Sequence, residues 1–129
     1  MAVVTVSGVT TTVAKGVIST RWTFPAAAST GSIGTPISVP HYPDKTITWR
    51  GTWATGATIL IEGSNTATYS TGASVFFPMN DPGFTALSYS TGKVRTALEN
   101  PRWIRPKLTA RTGTLGTPII EIISQSPRR

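Results

Sequence analysis

Between Lys45 and Trp53 the sequence KTITWRGTW repeats with a period of two. Ile47, Trp49 and Trp53 share one face with Gly51, while Thr46, Thr48, Arg50 and Thr52 share the other. Successive side chains of a strand point to opposite sides of the sheet, so this spacing specifies a strand with one buried face and rules out a helix. Ala54-Thr55-Gly56 supplies turn residues, and Thr58-Ile59-Leu60-Ile61-Glu62 runs on as a second strand-forming segment. The two segments are expected to pair as a hairpin.

The same reading extends along the chain. Val17–Phe24 places Ile18, Thr20, Trp22 and Phe24 on one face and stops at Pro25. The run AAASTGSI, residues 26–33, is small and polar and reads as a loop or linker, mobile or draped over a neighbour. Residues 74–77 and 84–89 are strand-like segments separated by Pro78-Met79-Asn80-Asp81-Pro82-Gly83, a strong turn signal. Lys93–Glu99 fits either a helical turn or an alternating strand, and 102–110 and 118–124 close the chain as two further strands. Roughly eight to ten strands with no dependable helix predict an all-β chain, a single β-sandwich or jelly roll. An extended arm with short strands is expected over 1–35 and the sandwich over 36–129.

Composition narrows the chemistry. At 129 residues the chain has the length of one domain, and charged residues make up 13%. Serine and threonine supply roughly a quarter of it, which favours strands and turns. With no cysteine there is neither a disulfide nor a thiolate. The five acids, Asp44, Glu62, Asp81, Glu99 and Glu121, are scattered, and His41 is the one histidine, set in a turn between Pro40 and Tyr42. Neither a carboxylate pair, a histidine-centred triad nor a metal-ligand cluster is spelled out locally. GTLGTP at 113–118 lacks the lysine and following helix of a phosphate loop. A non-enzymatic module without cofactor or metal is therefore expected. The N-terminus lacks the charged and apolar blocks of a signal peptide, and no apolar run approaches the ~18 residues of a membrane span, so a soluble product of a cytoplasm is expected.

Net charge is +7, which favours acidic partners without naming one. The cations gather most densely in NPRWIRPKLTAR, residues 100–111. Cations interleaved with an aromatic suit a single-strand nucleic-acid groove, yet one aromatic makes a poor stacking platform, so no nucleic-acid partner is expected. Period two puts Ile104, Pro106, Leu108 and Ala110 on an inner face and Trp103, Arg105, Lys107 and Thr109 on an outer one. Pro106 cannot donate to a ladder, which predicts an edge strand. Trp103, Arg105 and Lys107 are thus the candidate partner-binding residues, together with Arg50 and the basic end Arg128 and Arg129.

Two segments carry a family resemblance. Ile59–Asn65, ending in EGSN, and Glu99–Pro106, reading ENPRWIRP, resemble the hairpin and strand motifs of a group of small tailed-bacteriophage virion proteins, over residues 36–129. The chain departs from that pattern after Asn65, where Thr66-Ala67-Thr68-Tyr69 replaces a D-G turn and its tryptophan. The resemblance implies a structural virion protein of the capsid decoration or cement type. Such a protein is made in the host cytoplasm, sits on the capsid exterior and binds the major capsid protein, as a homo-oligomer for which a trimer about a local symmetry axis is suited. The EGSN string also occurs in galactose-binding jelly rolls, which implies a carbohydrate-binding adhesion module as the second reading; a tail or baseplate component is the third.

Overall fold

The computed structural model describes residues 3–53, 56–66, 75–112 and 116–126. They form two packed β-sheets with no helix among them. The strands are β1 (Thr5–Val6), β2 (Val9–Ala14), β3 (Val17–Thr23), β4 (Ile33–Gly34), β5 (Asp44–Gly51), β6 (Thr58–Ser64), β7 (Phe77–Pro78), β8 (Ser88–Tyr89), β9 (Lys93–Thr96), β10 (Trp103–Ala110) and β11 (Pro118–Gln125). One sheet runs β2-β3-β11-β5-β9; the other runs β1-β4-β10-β6-β7, with β8 also on β6. All pairings are antiparallel except β1 with β4. The expected all-β sandwich is what the chain forms.

Alternation explains the core. β11 buries Pro118, Ile120, Ile122 and Ser124 and turns Ile119, Glu121 and Ile123 outward. Ile47 and Trp49 of β5 and Trp22 of β3 join them from neighbouring strands, against Ile59, Ile61, Ile104 and Leu108 of the opposite sheet. Trp49 also meets Tyr89 edge to face, with ring centroids 5.2 Å apart.

One expected pairing changes. β5 and β6 do not form a hairpin: β5 pairs with β11 and β9, β6 with β10, β7 and β8, so the chain crosses between sheets after Trp53. Both strands have an apolar face, and the two faces meet across the core instead of lying side by side. Within the expected arm, β3 lies between β2 and β11 with Trp22 and Phe24 fully buried, so this part of it packs into the sandwich. The 26–33 run takes the second of its two expected arrangements, draped over a neighbour: Ala28 and Ser32 are buried, and Gly31 N donates to Leu108 O at 2.7 Å.

Finally, β10 is an interior strand, flanked by β4 and β6. Ile104 exchanges backbone hydrogen bonds with Ile37, and Leu108 N donates to Ser32 O while its O accepts from Gly31 N, all on the β4 side, so Pro106 between them turns its missing N–H toward the same side. Gly34 faces the ring there. A Cβ on Gly34 would stand 2.6 Å from Trp22 Cδ1 and 2.7 Å from Pro106 Cδ and Cγ. The proline is accommodated by a glycine opposite and not by an open edge. Gly34→Ala should therefore lower stability by about 1–3 kcal/mol in urea unfolding through overpacking, with the m-value unchanged.

Candidate functional site

The outer face of β10 is not a free surface. Arg105 stands directly opposite Glu62 of β6, and its Nε donates to Glu62 Oε1 at 3.0 Å. The ring of Phe76 lies over the guanidinium, 3.8 Å from Cζ to centroid. Arg105 is 2% exposed, Glu62 6% and Phe76 3%. Desolvation of both charges is offset in part by the ion pair and by the aromatic face, while Arg105 Nη1 is buried with no hydrogen-bond partner among the described residues. This corrects the expected contact role of Arg105: the alternation is right, but an outward-facing residue becomes buried once another segment covers that face. Trp103 and Lys107 flank it half-buried, and Trp103 Nε1 donates to Thr66 O at 3.2 Å.

Arg50 lies on the other side of the sandwich. It projects from the outer face of β5, 43% exposed, with Nε 3.3 Å from Glu121 Oε1, while Ser19 Oγ donates to Glu121 Oε2 at 2.9 Å. Trp103 and Lys107 thus share a face, and Arg50 does not join them. Arg128 and Arg129 lie outside the described residues.

The structure brings the EGSN and ENPR segments together. Asn65 Oδ1 accepts from Arg102 N at 3.1 Å, and Trp103 stands opposite Ser64. Pro101 is buried against Gly63, where a Cβ would stand 2.5 Å from the ring Cγ. Glu99 accepts from Asn80 N at 2.8 Å and from Asn80 Nδ2 at 2.9 Å, anchoring a hairpin over 79–87. Asn100 Oδ1 accepts from Lys45 Nζ, which also donates to Tyr42 O at 2.7 Å, and Asn100 Nδ2 donates to Pro40 O at 2.9 Å. Each residue of the string closes a local seam of the fold.

Between the two motifs opens a cleft of about 520 Å³. Ser64, Asn65 and Glu99 give it polar atoms, and Met79, Pro101 and Phe77 form its apolar wall. Phe77 is 64% exposed at its rim. Among the described residues no group of three metal-ligating side chains occurs, and no helix is long and apolar enough to cross a membrane.

The sheet edges differ in kind. β9 carries Lys93 and Arg95, both set around the Tyr89 ring at 5.8 and 5.2 Å, and charges of this sort discourage strand addition. β2, reading VTTTVA, is exposed at all six positions and carries no charge and no proline. The sequence places short strands within 1–35 without marking this one as an edge, because strand order is set by distant partners.

No family model and no curated protein matches the chain. Among solved structures, the SPBc2 prophage-derived protein YomS is similar, with a TM-score of 0.56 at 18% identity, covering 90% of this chain and 100% of that one. At that identity the likeness is one of fold.

Two outcomes check the site's electrostatics. Arg105→Ala should destabilise the domain by about 3–5 kcal/mol by stranding the buried Glu62 carboxylate, whereas Arg105→Met with Glu62→Leu should recover most of the loss in the same denaturation assay. Burial lowers the Lys45 ammonium from its ordinary 10.5 to about 8, against a smaller upward pull from Asp44. Folding therefore sheds a proton between pH 8 and 10.5, so stability relative to Lys45→Met should rise with pH across that window and stay level below it. Paired melts at pH 7, 9 and 10 would read this directly.

Proposed function

We propose that this chain is a non-enzymatic structural component of a tailed-phage virion, a decoration protein that binds the outside of the major capsid protein shell. The observation that carries the reading is β2, an uncharged six-residue edge left open for a strand from another chain. Backbone pairing of that kind joins proteins without any catalytic group. The fold shared with a prophage-derived protein and the motif resemblance support the phage context. The net charge of +7 complements an acidic shell and speeds encounter with it.

The cleft favours a second reading, a saccharide-binding adhesion module. An exposed phenyl ring beside polar Ser64, Asn65 and Glu99 provides one stacking surface and hydrogen-bonding atoms for a sugar ring. A glycan array probed with the intact protein separates the two: the decoration reading expects no selective signal.

Cryo-EM of the particles, with copy number measured on separated heads and tails, tests the location. The expected result is a high copy number on the head between capsid subunits; protein confined to the tail overturns the capsid assignment and leaves a baseplate role. Thr11→Lys places a charge on the β2 edge and should reduce attachment about tenfold while leaving the melting of the isolated protein within about 0.5 kcal/mol of wild type.

A further inference from the structure

The hairpin over 79–87 ends in a tip, Asp81-Pro82-Gly83-Phe84-Thr85, that the chain holds rigidly. Asp81 Oδ1 accepts from Gly83 N at 2.9 Å and from Thr85 N at 3.0 Å. Asp81 O accepts from Phe84 N at 2.9 Å, and Asp81 N donates to Thr85 O at 2.9 Å. Behind the tip, Leu87 N donates to Met79 O at 2.8 Å, and Glu99 grips Asn80 as described above.

Phe84 has a φ of 64°, and among the described residues it is the one non-glycine in the left-handed region. A bulky side chain there is strained and persists only where its surroundings impose it. The order of residues is the reverse of what the backbone favours: Gly83, which tolerates positive φ, sits one place before the position that needs it. The turn's hydrogen bonds impose the conformation, and burial of the ring gives nothing in return, because Phe84 is 79% exposed, more than any other large apolar residue described. A strained backbone here presents a bare phenyl ring to solvent on a rigid mount.

Charge selects the kind of partner. Residues 77–86, FPMNDPGFTA, contain Asp81 as their one charged residue, in a chain of net charge +7. An anionic bilayer or a nucleic acid would be met by cations at such a tip, and there are none. A rigid aromatic on a neutral-to-acidic mount fits an apolar pocket on a protein, where a few buried aromatics supply most of the binding energy.

We propose that Phe84 is the anchor side chain by which this protein seats in an apolar pocket of a neighbouring virion protein, an inference that rests on the virion reading above. The test uses particles from phage lacking the gene, separated into heads and tails, and titrated with purified full-length protein. Wild type should bind one fraction saturably. Phe84→Gly should bind that fraction about 30-fold more weakly or worse, the size expected of an anchor residue, yet melt at or above wild type because the strain is gone. Phe84→Asn, which tolerates left-handed backbone without supplying a ring, should behave likewise. Equal binding of wild type and both variants overturns the anchor and leaves the virion reading standing. Melting of both variants well below wild type overturns it too, since the ring would then serve the fold. Wild type binding neither heads nor tails overturns this inference and the virion reading together.

Discussion

Trp49 and Trp22 are each wholly buried, and each brings an indole N–H that must find an acceptor in the interior. Trp49 Nε1 donates to Ile59 O at 2.9 Å, tying β5 of one sheet to the backbone of β6 in the other. Trp22 Nε1 donates to Thr35 O at 3.0 Å, just past β4. Leaving either donor unpaired costs about 1–3 kcal/mol, so these two bonds restrict how the sheets slide over one another. The surrounding isoleucines supply burial energy in almost any register; the indoles select one. The close approach of Gly34 to Trp22 and Pro106 follows from that selection, because the indole can reach Thr35 only if no side chain stands between.

The two outer faces meet water differently. On the five-stranded sheet Arg50 and Glu121 remain partly hydrated, and such pairs contribute little to stability. On the six-stranded sheet Phe76 closes over Arg105 and Glu62, where an unpaired charge becomes expensive. The directly opposed register of Arg105 and Glu62 then acts against slippage. A shift of β10 by one residue would set Arg105 against Ile61 or Gly63 and leave both charges without partners. The cation that looked like a docking residue helps to fix strand register instead.

What was legible follows the range of the forces involved. Period two in KTITWRGTW and NPRWIRPKLTAR assigned the strands and their inner faces, because alternation is a local property of the backbone: Ile47, Trp49, Ile104 and Leu108 are all buried as spaced. Which strands become neighbours is not local. Two adjacent amphipathic strands satisfy the same pattern side by side or face to face, and here Trp49 and Ile59 face each other. The edge reading of Pro106 failed for a related reason, since what makes room for its ring is Gly34, far away in sequence. Arg105 reads as exposed because Phe76, which covers it, is separated from it in the chain by β7, β8 and β9. The ENPR string was visible as a motif, but its roles on Asn80, Lys45 and Asn65 required the fold.

Phe84 marks the limit of pattern reading. DPGF reads as an ordinary turn, and only the coordinates place the positive φ on phenylalanine and not on glycine. Folded proteins have a margin of about 5–15 kcal/mol, so a strain of about 1–3 kcal/mol at one exposed tip is tolerable when a tightly packed sandwich lies behind it. It nevertheless reduces the stability of the isolated chain and contributes nothing to its core. The hydrogen bonds of Asp81, Asn80 and Glu99 fix the backbone that carries the ring, so that part of the ordering cost that usually weakens association is met during folding. The open β2 edge is prepared in the same sense, its backbone groups already aligned by β3. Under the proposed virion role, both features are ones that another molecule would complete, which is the pattern expected of a part built for assembly.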